Sequence, residues 1–581
     1  MIKNTILHFF VLITIVLLFG INVCCAEISP QTKMSTSVNH DMQEKEIFTV
    51  NYETTFDRAC TIAQNVIREC MGGSRLGCRG AVAAVDSYQE ATHLYDALRT
   101  FNDAIIYWQC PSETRDYLFS EDVGSKGVIP FFLDLQETDG EYLGNIPIAK
   151  WTLKAGHGYE IESGGGFDLV YKPRRNLRDD LAANAELIAT IYRYWKFFDD
   201  TSYFDKFYNK LLKYVDFRAS WLDPETSLFQ SSLVLGDVAP RYAIPRSCAT
   251  VYNNAECMRL FQYFSELAKA VDKIKDAKRY AQLAYQIKRA MNQHLWDESL
   301  GYYRVKIFTR VTEDENSPLY NLTNDDRFYV GDNIVALAFG IPDTLVREEK
   351  LVASIERVGG LKGCYGTSVL PPYPNGYYHK RMDNHCYWNG DIWPVRGTRF
   401  AVWSYRNGYP ELGWKVIAKQ ANLATRDNGF CEFYEGEGKI SEGLGASQNA
   451  FTAAPYMHAV IEGLFGLVPD YPNNVVYIHP SLTRSGRIQC RLGMHTFDFK
   501  VEIDQIAKFI NMAIDTTYSG QADFCILLPN SSEQWEVYKQ KQKISSKIKK
   551  KGNAAYLVFD EKLNSGNNDL VIICNRERNK D

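Results

Sequence analysis

The stretch DDLAANAELIATIYRYWKFFDDTSYFDKFYNKLLKYVDFRASWL, Asp179–Leu222, decides the fold. Leu181, Ala185, Ile188, Ile191, Trp195 and Phe198 recur at three- and four-residue steps, and Phe204, Phe207, Leu211 and Tyr214 do so after Asp199-Asp200-Thr201. This spacing predicts two amphipathic helices, 179–198 and 203–222, folded back on each other across a tight polar turn.

The same texture extends in both directions. Helical spacing recurs over 56–70, 89–107, 248–272, 276–296, 332–341, 344–358, 391–407, 410–426 and 447–466, mostly as pairs with short and long loops alternating. The stretch 110–178, rich in Gly, Asp and Pro, reads as irregular. Gly164-Gly165-Gly166 is not followed by Lys-Ser/Thr, so it is a loop and not a phosphate cradle. Helical hairpins arranged in a ring predict a mainly α chain, an (α/α)6 barrel whose long loops gather at one end as a cleft. A stacked solenoid would show a repeat of fixed period, and none is visible.

After Pro469 the pattern changes to period-2 runs, NVVYIHPSL, GRIQCRLGM, HTFDFKVEI, ADFCILLPN, AAYLVFD and DLVIIC, which read as strands of a small C-terminal β-sandwich. The organisation expected is a signal peptide at 1–26, a flexible leader at 27–47, the barrel at 48–469 and the β domain at 470–581. The signal peptide is read from Lys3, the apolar run Ile6–Gly20 and the small-residue exit Cys24-Cys25-Ala26. Export to a periplasmic, secreted or lumenal compartment follows. No later stretch reaches the ~20 apolar residues of a membrane span, so stable insertion after cleavage is not expected.

A net charge of −5 with one short lysine run, Lys539–Lys551, argues against nucleic acid as a partner and for a solvated hairpin. Cleavage removes Cys24 and Cys25 of the 14 cysteines. Of the rest, Cys60, Cys70, Cys78 and Cys110 are the local set that oxidation would pair, although connectivity is not readable. The 10 histidines form no HxxxH or Cys/His cluster, and no loop has calcium-ligand spacing, so neither metal nor other cofactor is expected.

The chemistry concentrates in Asp383–Phe465, which holds DNHCYWNGDIWPVRG, CEFYEGEGKISEGLG and QNAFTAAPYMHAVIEGLFGL. Tryptophan faces match the C–H faces of pyranoses, and carboxylates hold hydroxyls or move protons, so Trp388, Trp393 and Glu432 together suit a carbohydrate cleft. Packing inside the barrel is the other reading of both tryptophans. Asp391 either bonds a sugar hydroxyl or caps the helix that follows. Asp383 and His385 are further polar candidates.

Three segments resemble the six-hairpin glycoside hydrolases, most closely the processing α-glucosidase and mannosylglycerate hydrolase group and more distantly trehalase. LGDVAPR, Leu235–Arg241, is similar to the segment that carries that family's general acid, which the resemblance places at Asp237. YWNGDIWP, Tyr387–Pro394, is similar to the family's Tyr-Trp-Arg-Gly-Pro-x-Trp-Pro, and implies sugar contacts at Tyr387, Trp388 and Trp393. CEFYEGEG, followed by GLG and FTAA, resembles the segment of the general base and implies that role for Glu432, with Glu437 the next candidate. Asn389, Asp391 and Thr452-Ala453 depart from the family pattern.

The resemblance implies an inverting mechanism on a small α-glucoside or α-mannoside. The ordinary readings remain beside it: a turn or cap aspartate at 237, and a solvated loop acid at 432 among Glu435, Glu437 and Glu442. Arg241 would orient Asp237, bind sugar or an acidic aglycone, or form a surface ion pair. Asn102 and Asp103 lie where the family often has an Arg-Asp pair that grips sugar hydroxyls. Other expectations are a trehalase-like or α-rhamnosidase-like hydrolase, or a carbohydrate-binding barrel without turnover. Asn321 and Asn530 begin glycosylation sequons.

Overall fold

Both helices of the quoted stretch form as their spacing requires. In the computed structural model the first helix ends at Phe198, where Asp199 takes a left-handed conformation (φ 51°) and its amide closes on Trp195 O at 2.8 Å. Asp200 Oδ1 accepts the Ser202 amide at 2.9 Å, satisfying an N–H that the second helix leaves open. The structure describes residues 48–71, 92–107, 109, 111–121, 127–133, 145–146, 181–230, 248–308, 323–362, 369–372, 389–435, 446–506, 508–529 and 534–575. The predicted signal peptide and leader lie outside the described residues. So do Asp237, Arg241, Asp383, His385, Tyr387, Trp388, Glu437, Glu442, Cys78, Cys110, Asn321 and Asn530.

The described helices are α1 (Thr54–Cys70), α2 (Leu94–Asp103), α3 (Pro111–Phe119), α4 (Val128–Leu133), α5 (Leu181–Phe198), α6 (Ser202–Ala219), α7 (Val251–Ala270), α8 (Ile274–His294), α9 (Val330–Ala338), α10 (Leu345–Lys362), α11 (Pro394–Arg406), α12 (Pro410–Asp427) and α13 (Ala450–His458). Two of them correct the sequence reading, since α3 and α4 lie in the stretch read as irregular. Helix α3, PSETRDYLF, has Pro at its first position and Glu113 in its first turn, both start signals. Its nine residues are too short to repeat an apolar stripe, which is why periodicity passed over it.

Packing closes a circuit among the described helices: α2 on α5, α5 on α7, α7 on α9, α9 on α11, α11 on α13 and α13 back on α2. The others pack outside it, α1 against α12 and α13, α6 and α8 against α7, α10 against α9, and α12 against α11. Helices α5–α6, α7–α8 and α11–α12 are joined by three residues each, so the chain turns back after each inner helix; α8 packs along α7 and α12 along α11, whereas α6 packs on α7. The long connections, such as 220–250, 295–329 and 428–449, therefore all lead into the N-terminal ends of inner helices at one end of the circuit. Helix α13 contains Pro455, which lacks an amide donor, and continues as a wider π-helical turn over Ala459–Leu464.

The C-terminal part is two sheets. The first described strand, β1 (Thr49–Asn51), lies far from the rest in sequence. Then follow β2 (Leu467–Asp470), β3 (Val475–Ile478), β4 (Gly486–Leu492), β5 (His495–Asp504), β6 (Phe509–Thr516), β7 (Gly520–Leu527), β8 (Gln534–Lys539), β9 (Gln542–Ile544), β10 (Lys547–Lys551), β11 (Ala554–Leu563) and β12 (Gly566–Asn575). One sheet has the order β1-β4-β5-β6-β12-β8-β9, the other β2-β3-β7-β11-β10.

All six runs read from alternation are strands. Their inward residues, such as Phe497, Phe499 and Val501 of β5, are buried, and Phe524 stacks on its cross-strand partner Phe559 at 4.7 Å. The lysine run forms the expected hairpin, with Gln540 and Lys541 both left-handed (φ 48° and 68°), and then the exposed edge strand β10. Lysines on an edge strand oppose pairing with another sheet. Among the described residues no helix is long and apolar enough to cross a membrane, and no group of three His, Cys, Asp or Glu could hold a metal. Cys60, Cys257, Cys490 and Cys525 are free thiols, and burial pushes each of them up, Cys525 to about 11.

Candidate active site

Two of the chemistry-bearing stretches meet through the backbone. Ile392 and Tyr434 exchange hydrogen bonds, Ile392 N to Tyr434 O at 2.7 Å and Tyr434 N to Ile392 O at 2.9 Å. This antiparallel bridge sets Trp393 opposite Phe433, and the two rings stack at 5.8 Å with an interplanar angle of 12°. Trp393 also meets Phe451, from the first turn of α13, at 5.8 Å. Pro394 occupies the first position of α11, so the helix begins there and Trp393 is its cap residue. Asp391 is buried three residues before that helix.

Glu432 is 8 % exposed. Its amide donates to Ala446 O at 2.8 Å, and its Oε2 accepts the Ala446 amide at 3.2 Å, so the loop is tied to the segment entering α13. Asn449 then caps α13, its side chain accepting the Thr452 amide at 2.7 Å. Above Trp393 lies the guanidinium of Arg396, whose central carbon is 4.7 Å from the Trp393 ring centroid and 4.5 Å from that of Tyr252 in α7. The Tyr252 amide donates to Asp332 Oδ2 of α9 at 3.2 Å. Contacts thus link the N-terminal ends of α7, α9, α11 and α13 around Trp393.

The sequence does not single out a second polar cluster along the inner helices. Arg99 pairs with Asp103 and also reaches Glu186 Oε1 at 3.1 Å. Arg259 lies 2.7 Å from Glu186 Oε1 and 2.6 Å from Glu256 Oε2, and Arg399 lies 3.3 Å from Glu256 Oε1. Burial opposes ionisation of Glu186, but Arg259, Arg99 and Arg399 outweigh it and hold the carboxyl well below its ordinary value. Asp103 is 2 % exposed, and against the same penalty Arg99 and His458 hold it low.

His458 stands between acids, 3.3 Å from Asp103 Oδ1 and 3.0 Å from Glu462 Oε2. Glu462, in the π-helical turn, also binds Tyr107, Arg406 and Arg193, the last at 2.8 Å. Burial opposes its ionisation too, and Arg193, His458 and Arg406 keep it well below its ordinary value.

The structure therefore joins the stretch of Asp391 and Trp393 to that of Glu432 through the Ile392–Tyr434 bridge, and places Asp103 in the inner ionic cluster. Asn102 joins that cluster, donating to Glu186 Oε2 at 3.1 Å and to Thr190 at 2.9 Å. Sequence reasoning missed Glu186, Glu256, Arg259, Arg399, His458 and Glu462. The available signal was charge at helical spacing inside apolar faces, as in Arg99/Asp103, Glu256/Arg259 and His458/Glu462.

Residues 243–449 match the family model described as the mannosylglycerate hydrolase MGH1-like glycoside hydrolase domain. No curated protein sequence matches the chain significantly. Among solved structures, an α-L-rhamnosidase from Dictyoglumus thermophilum matches with a TM-score of 0.61 and 14% identity over 91% of this chain and 50% of that one. A rhamnosidase from Bacillus sp. GL1 matches at 0.56 and 14% over 83% and 43%. The mannosylglycerate hydrolase of Thermus thermophilus in complex with glucose matches at 0.48 and 15% over 69% and 99%, a score that adds nothing to the fold assignment. The chain thus spans about half the length of the rhamnosidases, and the likeness is one of fold. Residues 243–449 thus match a glycoside hydrolase domain of the mannosylglycerate hydrolase MGH1-like type, and the chain as a whole shares the fold of the α-L-rhamnosidases.

Proposed function

We propose that the chain is an exported, inverting glycoside hydrolase that removes a terminal α-linked glucose or mannose from a small glycoside. The observation that carries this reading is the placement of Glu432. It is a nearly buried carboxylate held by the Ala446 amide, one residue from Phe433, which stacks on Trp393 just before α11. In full the proposed fold is an (α/α)6 barrel, a reading supported by the closed circuit of α2, α5, α7, α9, α11 and α13.

In the proposed reaction Asp237 protonates the glycosidic oxygen as its bond to the anomeric carbon breaks, and the aglycone leaves as an alcohol. Glu432 takes a proton from a water molecule whose oxygen attacks that carbon from the opposite face. Each carboxyl changes protonation once, and the product has inverted configuration. The two groups would stand about 6.5 to 9.5 Å apart, leaving room for the water. In this proposal Tyr387, Trp388 and Arg241 are residues that bind the sugar, and Trp393 packs against Phe433. A carbohydrate is the partner, with no role for nucleic acid or a cofactor.

The test is turnover of a panel of α-glucosides, α-mannosides, glycosyl-glycerates, trehalose and α-L-rhamnosides by the wild type, Asp237→Asn and Glu432→Gln. Release by the wild type alone supports the reading. Binding without release by all three makes the chain a carbohydrate-binding barrel, and turnover surviving in both variants removes the assigned acids.

A further inference from the structure

Arg396 is 1 % exposed, in the first turn of α11, and lies over both Tyr252 and Trp393. An aliphatic side chain would fill that volume without desolvating a cation, whereas a flat guanidinium fixes the planes of the rings it stacks on. The fixed plane of Trp393 is carried to Phe433, and Phe433 is the chain neighbour of Glu432. Glu432 is therefore held from two directions, by backbone bonds through Ala446 and Tyr434 and by the column Tyr252–Arg396–Trp393–Phe433. The column starts on α7, a different inner helix, so it sets Glu432 relative to the barrel and not only to its own loop.

We propose that Arg396 is a positioning residue, which acts through Trp393 and Phe433 to hold the Glu432 carboxylate at the point from which it activates water. The inference rests on Glu432 serving as the general base. Misplacing a catalytic group by about 1 Å costs on the order of 100-fold in rate, because alignment and not binding is lost. The loss then falls on kcat and leaves KM unchanged.

The experiment compares Arg396→Lys, Tyr252→Leu, Tyr252→Phe and Glu432→Gln with the wild type, on whichever glycoside of the panel the wild type hydrolyses. Circular dichroism checks folding, and kcat, KM and the acid limb of the kcat–pH profile are measured. Expected are a kcat about 100-fold lower for Arg396→Lys and Tyr252→Leu, unchanged KM, a displaced acid limb, and recovery when Tyr252→Phe restores the ring. Wild-type kcat and acid limb in Arg396→Lys, or a change in KM alone, overturn the positioning role while an inactive Glu432→Gln leaves the general base in place. Should Arg396→Lys fail to fold, unchanged kcat in Tyr252→Leu overturns it equally. Turnover surviving in Glu432→Gln overturns the assignment of the base, and the inference with it.

Discussion

Ile392 and Tyr434, 42 positions apart in sequence, are joined by two backbone hydrogen bonds of 2.7 and 2.9 Å, and this bridge sets Phe433, the chain neighbour of Glu432, against Trp393. A carboxylate so held suits a general base, which contributes about 10²- to 10⁴-fold to a rate. Glu432→Gln keeps the shape and the hydrogen bond from Ala446 but cannot take a proton. It is expected to lower kcat by that factor while still binding the sugar, as measured by turnover and by titration calorimetry.

Trp393 has rings or a guanidinium packed against it from Phe433, Phe451 and Arg396, so its first contribution is to packing. Trp393→Ala should destabilise the protein by about 3–5 kcal/mol in denaturant unfolding. Trp393→Phe keeps a ring against Phe433 and should lose appreciably less.

The inner ionic cluster predicts an acid limit. Glu186 and Glu462 have folded-state pKa values below their ordinary value of 4.5, and Asp103 one below 3.8. A group lowered in this way stabilises the fold fully above its unfolded pKa and loses that contribution as pH falls towards the folded one. The melting temperature should therefore hold above about pH 5 and drop steeply below it. Glu186→Gln removes the carboxylate that Arg259 and Arg99 share while Glu256 and Asp103 remain beside them, so it should cost less than the ~3–5 kcal/mol of a buried charge left wholly unpaired, and flatten the acid slope. Scanning calorimetry across pH reads both effects.

Gly493, in the turn between β4 and β5, has φ +59°, and a Cβ there would lie 1.8 Å from Phe197 O at the end of α5. The sandwich thus presses its turn against the helices through a residue with no side chain. Lys196 and Asp470 pair at 2.9 Å, also between α5 and the sandwich. Gly493→Ala meets both a left-handed backbone and a clash, and should lower stability by more than about 1 kcal/mol. Thermal unfolding measures it.

What was legible in the sequence were features with local causes. The apolar stripes of α5–α8 and the alternation in β4 and β5 arise within a few residues, whereas α11 starts at Pro394 and not at the expected 391. Hidden features depended on distance along the chain. Strand β1 pairs Val50 with Ile488, and no pattern near residue 50 announces that partner. Glu186, Arg259 and Arg399 look like ordinary surface charges until three inner helices bring them together. Trp393 and Glu432 were readable as site candidates by residue type, whereas Arg396 and Tyr252 were not, because their significance is one of stacking.

The anomeric configuration of the first product, followed by proton NMR within seconds of mixing enzyme and an α-glycoside, tests the central claim most directly. An inverting enzyme with Asp237 and Glu432 as its acid and base releases the β-sugar, which then mutarotates, and Glu432→Gln releases none. First appearance of the α-sugar would contradict the account, because it requires a covalent intermediate on a carboxylate and no general base acting on water in the first step.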